Sequence, residues 1–129
     1  MFRGIISAFL GLFLLAACDT QPVADLASLP DGDAARGALL FAQRMHGAPA
    51  CSSCHHLNDE SLVGPGLAGI AARAATHPEY TSLQEYLYTS IVRPSKTIAA
   101  GYSNMMYANY GSKLTAQELA DLIVYLLTL

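Results

Sequence analysis

The chain has 129 residues, 53% of them hydrophobic and 13% charged, with ten acidic side chains against seven basic ones and a formal net charge of −3. Lys96 and Lys113 are its only lysines and no basic stripe is visible, which argues against a nucleic-acid partner. Three cysteines cannot make a disulfide framework, and the length suits one small domain with a modest core.

At the start of the chain, Arg3 precedes an apolar run from Ile5 to Ala17, and Leu15, Ala16 and Ala17 lead directly into Cys18. The run is too short to span a bilayer, which takes about 20 apolar residues, and has the length of a signal-peptide core. It resembles a bacterial lipoprotein signal ending in a lipobox. Residues 1–17 are therefore expected to be removed and Cys18 to carry the lipid, with more than one acyl chain for stable anchoring. An ordinary secretory signal and an uncleaved anchor are the alternatives, and each also exports the protein. Residues 18–32 mix Pro, Asp, Ser and Ala with isolated Leu and Val, and read as a tether.

Beyond Gly32 the pattern is helical, with no run of strand-like alternation. Asp31 or Asp33 can cap a first helix to about Arg44, because Ala34, Gly37, Leu40 and Phe41 share one face at spacings of three and four. Gly47 and Pro49 end it. Cys51, Ser52, Ser53, Cys54 and His55 then spell C-x-x-C-H, the attachment signature of a c-type haem. Thiols at this spacing can each add to one of a haem's two vinyl groups, and the imidazole after them reaches the iron from the same turn. Half a zinc site would need a second Cys/His pair, and a dithiol oxidoreductase a βαβ context; neither is present. With Cys18 assigned to lipid and Cys51 and Cys54 to one covalent haem c, no cysteine is left over.

Gly64, Pro65 and Gly66 break the chain before an Ala-rich helix from about Leu67 to Ala75. Ser82 and Glu85 read as a capping box for a helix that carries Leu83, Leu87, Ser90 and Ile91 and stops before Pro94. A long loop follows from Pro94 to Leu114, and the far face of a haem gives it something to cover. Thr115 and Glu118 form a second capping box, after which Leu119, Leu122, Ile123 and Leu126 recur at helical spacing. The expected fold is all-α, with about four to five helices and long loops around one covalently bound haem, over 33–129.

From about Asp33 to Leu129 the chain resembles a class I (mitochondrial-type) monohaem cytochrome c domain in its bacterial lipoprotein form. The stretches that carry the likeness are G-D-A-A-R-G-A-L-L-F, C-S-S-C-H, V-G-P-G-L-A-G, S-I-V-R-P-S-K, A-A-G-Y-S-N-M-M and L-T-A-Q-E-L-A-D-L-I-V-Y-L, in that order. The resemblance implies that Gly37 and Phe41 cross the last helix beside Tyr125. It also implies that the Pro65 carbonyl accepts from the second ring nitrogen of His55, which orients the ligand. Between Phe41 and Cys51 the chain is longer than in the mitochondrial protein, so Met45, His46 and Pro49 have no family counterpart.

With His55 on one face of the iron, the group on the other face separates electron transfer from binding or catalysis. An open face admits gas or peroxide, whereas a thioether closes it and raises the potential. Met105 and Met106 both lie in the appropriate loop. Related domains often carry Met-Pro, two residues, an aromatic and Gly; Met106, Tyr107, Ala108, Asn109, Tyr110, Gly111 keeps that spacing with Tyr for Pro, which favours Met106 over Met105. The departure removes a fixed φ from the loop. His56 is assigned to the surface, while His46 and His77 could ligate only if the methionine loop were displaced. Arg73, Arg93 and several tyrosines are alternative partners for the haem propionates.

The resemblance thus implies a non-enzymatic electron carrier, lipid-anchored on the periplasmic side of the bacterial inner membrane, with respiratory or dehydrogenase complexes as its redox partners. The alternatives are a permanently bound haem subunit of a membrane oxidase or dehydrogenase complex, and an open-haem gas or peroxide binder.

Overall fold

The computed structural model describes residues 24–129; the signal segment and Cys18 lie outside the described residues. Among these residues there are five α-helices and no strand: α1 Ala34–Phe41, α2 Ile70–Ala75, α3 Leu83–Val92, α4 Tyr110–Lys113 and α5 Ala116–Leu126. None is long and apolar enough to cross a membrane.

The helices start where their capping residues place them. Asp33 accepts the Arg36 N–H at 3.0 Å to open α1. At α5 both halves of the capping box form: Thr115 Oγ1 accepts the Glu118 N–H at 3.2 Å, and Glu118 Oε2 accepts the Thr115 N–H at 2.8 Å. Ser82 caps α3, but Glu85 reaches one residue further back and accepts from the N–H and hydroxyl of Thr81 at 2.9 and 2.8 Å. Leu119, Leu122, Ile123 and Leu126 are all buried, as their spacing requires.

Elsewhere tertiary contacts override the periodic pattern. α1 ends at Phe41 rather than near Arg44, because Met45 turns into the core and pairs with Ala48 across a left-handed turn at His46 (φ 49°) and Gly47 (φ 86°). α2 begins at Ile70 rather than Leu67: the Leu67 and Ala68 N–H groups donate to the His56 and Asn58 carbonyls instead, and Gly69 adopts φ 69°. The expected loop from Pro94 to Leu114 contains a 3-10 turn at Pro94–Lys96 and the single-turn α4, which the burial of Tyr110 and Leu114 holds in place. The stretch read as a tether is packed on the domain from Ala24 onward. Leu26 and Leu29 lie against the core and the Tyr88 hydroxyl donates to the Ala24 carbonyl at 3.1 Å, since isolated leucines gain by leaving water.

The contact that organises the domain is α1 against α5. A Cβ on Gly37 would overlap the Asp121 carbonyl and lie 2.6 Å from Tyr125 Cβ, so only glycine permits this approach. Phe41 meets Tyr125 edge-on with ring centroids 5.9 Å apart. A buried carboxylate locks the crossing. Asp121, 2% exposed, accepts from the Asp33 N–H at 2.7 Å, from Arg36 Nε and Nη2 at 2.8 and 3.0 Å, and from Gln117 Nε2 at 2.9 Å. The Arg36 guanidinium, with Gln117 and the Asp33 N–H, outweighs burial and holds its pKa down at about 2.

Because the folded-state pKa lies below the unfolded value of about 3.9, the carboxylate's stabilisation is complete above that value and is lost as pH falls toward about 2. Asp121→Asn is therefore expected to cost about 2 kcal/mol at neutral pH, with the deficit shrinking as the pH is lowered from about 4 to about 2. Denaturant unfolding of both proteins across that range measures it. Equal stabilities at pH 7 would contradict the lock.

Candidate functional site

Cys51–Ser53 form one 3-10 turn, and the N–H groups of Cys54 and His55 both donate to the Cys51 carbonyl, at 3.1 and 3.0 Å. Winding the chain this tightly brings Cys51, Cys54 and His55 to the lining of one apolar cavity of about 130 Å³, open at its mouth. The two thiols are free, and burial, with Cys54 nearby, pushes the Cys51 thiol up to about 11.

The imidazole is oriented from behind. His55 Nδ1 lies 2.9 Å from the Pro65 carbonyl, and a carbonyl can only accept, so Nδ1 donates and Nε2 is the ring nitrogen left for a ligand. The Gly64–Gly66 segment meets this ring at Gly64: a Cβ there would overlap it, with His55 Nδ1 only 2.8 Å away. Backbone hydrogen bonds from Gly64 to Cys54 and from Leu67 to His56, each 2.8 Å, pin the segment to the attachment turn. Arg73 holds it from the other side, donating to the Gly66 and Ala68 carbonyls at 2.6 and 3.1 Å.

Phe41, Tyr86, Leu87, Ile91, Leu122 and Leu126 from α1, α3 and α5 line the cavity, together with residues of the 97–106 loop. Both methionines border it, but differently. Met105 is 68% exposed, whereas Met106 is partly buried against the core. At the mouth the Ser61 and Tyr102 hydroxyls hydrogen-bond at 2.5 Å, joining the loop after the attachment turn to the methionine loop.

None of the other histidines lines the cavity. His46 Nε2 pairs with Glu118 at 2.9 Å, His56 is exposed, and His77 packs among Tyr80 and Tyr86 with ring centroids 5.9 and 5.3 Å away. Of the seven tyrosines, Tyr86 and Tyr102 border the cavity, as does Arg73; Arg93 lies instead at a neighbouring surface depression with Lys96. Among the described residues no group of three His, Cys, Asp or Glu side chains forms another metal site. Two contacts at this site were not anticipated from the sequence: the Tyr110 hydroxyl donates to the Pro49 carbonyl at 2.8 Å, and Tyr107 meets Tyr110 edge-on. The three-residue spacing of the two tyrosines was their one local signal.

The donor set suits a c-type haem: two free thiols at attachment spacing, an imidazole held through Nδ1 with Nε2 left over, and a thioether bordering the same apolar space. A family model described as Cytochrome c matches residues 34–129. No curated protein compared with the chain matches it significantly.

Proposed function

Since the chain belongs to the cytochrome c family, whose domains bind covalent c-type haem and transfer electrons, we propose that it is a lipid-anchored periplasmic carrier with His55 and Met106 as axial ligands. Bound haem supplies a one-electron ferric/ferrous couple. One observation carries the ligand assignment: the partly buried Met106 borders the same apolar cavity as Cys51, Cys54 and His55, while Met105 is largely in water.

Each residue then has a defined task. Cys51 and Cys54 would hold the macrocycle through thioether bonds, and His55 would offer Nε2 to the iron while its hydrogen bond to Pro65 keeps the ring from turning. Met106, bordering the same cavity, would supply the second ligand, which excludes external ligands and favours the reduced state. Phe41, Leu87, Ile91, Leu122 and Leu126 exclude water from the macrocycle. Encounters with donor and acceptor complexes are brief and small, under about 1,200 Å².

The membrane assignment rests on the apolar run before Cys18 and on the position of that cysteine. Detergent-solubilised membranes are expected to yield a protein whose N-terminal peptide is a lipidated Cys18, and Cys18→Ala is expected to release the haem protein or leave its signal uncleaved. Mass spectrometry of the terminus checks the first and fractionation the second. Potentiometric titration should show a single one-electron wave, and ferrous protein should resist carbon monoxide. Rapid carbon monoxide binding would replace the carrier with a ligand-binding haem protein, and stoichiometric co-purification with an oxidase or dehydrogenase would make it a fixed subunit.

A further inference from the structure

We propose that Tyr107 and Tyr110 are positioning residues that brace the Met106 loop against the attachment turn. The proposal rests on the reading of Met106 as axial ligand. Tyr107 leaves the backbone after Met106 free in φ, so something else must keep the thioether in place. Its partly buried ring meets Tyr110 with centroids 5.1 Å apart and planes at 76°, an edge-to-face pair. Tyr110 in turn is buried, begins α4, and donates its hydroxyl to the Pro49 carbonyl at 2.8 Å.

Pro49 lies just before the Cys51 turn, so one ring contact and one hydrogen bond connect the residue after Met106 to the segment leading into the thiols. The side chain that fastens the loop, Tyr110, keeps its hydroxyl out of water to do so. An aromatic there for packing alone would need no hydroxyl.

The test uses mature holoprotein and the rate at which imidazole displaces the ferric iron's sulfur ligand, read by loss of the methionine–iron charge-transfer band. Tyr107→Ala is expected to raise that rate about threefold to tenfold. Tyr110→Phe, which keeps the ring pair but loses the Pro49 bond, should raise it by about the same factor. Tyr107→Phe should behave as wild type, and Tyr107→Pro should restore slow exchange by fixing φ. If Tyr107→Ala yields too little holoprotein, Tyr107→Leu replaces it, since leucine keeps bulk without the ring edge. A wild-type exchange rate in Tyr107→Ala or Tyr107→Leu, alongside a lost band in Met106→Ala, overturns the brace alone. An unchanged band in Met106→Ala overturns the ligand assignment and the brace with it.

Discussion

Cells expressing the double variant Cys51→Ala, Cys54→Ala are expected to accumulate no stable holoprotein, whereas wild-type haem should stay with the polypeptide through acid–organic extraction. Thioether bonds are not in equilibrium with free haem, so covalent attachment survives conditions that strip an axially held macrocycle. The effect reaches the fold as well. The cavity amounts to about 130 Å³, and unfilled core volume costs about 24 cal/mol per Å³. Leaving it unfilled would cost about 3 kcal/mol, a large part of the whole stability of a small domain. The walls supplied by Phe41, Leu87, Ile91, Leu122 and Leu126 would collapse or open instead. Mass spectrometry, haem staining on denaturing gels and circular dichroism check the three parts. Full haem retention by the double variant would end the covalent reading.

Met106→Ala is expected to make the iron high-spin or open to an added ligand and to lower its potential by a sizeable part of the roughly 0.8 V that axial ligation spans. Met105→Ala should do little, because a side chain 68% exposed contributes little packing and lies in water. Absorption spectra, carbon monoxide binding and potentiometry on the two variants separate the outcomes. Exchanged phenotypes would move the ligand by one residue and leave the carrier intact. If neither variant changes the spectrum and the native ferrous protein binds carbon monoxide, the closed carrier falls.

The sequence determined what depends on neighbours along the chain. Cys51, Cys54 and His55 lie within one turn, so their spacing alone announces attachment chemistry, and the 3-10 turn they adopt brings them to one wall. The starts of α1, α3 and α5 were equally legible, because Asp33, Ser82 and Thr115 cap N–H groups three residues ahead, a contact that a helix makes with itself. The apolar stripe of α5 was legible for the same reason.

Only the tertiary structure decided what depends on residues far apart in the chain. Asp121 reads in sequence as one more acidic position on the polar face of a helix; it is buried because Arg36, Gln117 and the Asp33 N–H converge on it when α1 crosses α5. Helix ends followed the same logic. α1 and α2 are shorter than their patterns because Met45 is drawn into the core and the Leu67 and Ala68 N–H groups find carbonyls in the loop after the attachment turn. The spacing to Tyr110 and Gly111 favoured Met106, but the unequal burial of two adjacent methionines, and the reach of Tyr110 to Pro49, arise only when the loop packs. Local hydrogen bonds and periodicity are written in consecutive residues. The partners of a buried charge or a loop side chain are set by which distant surfaces meet when apolar area leaves water.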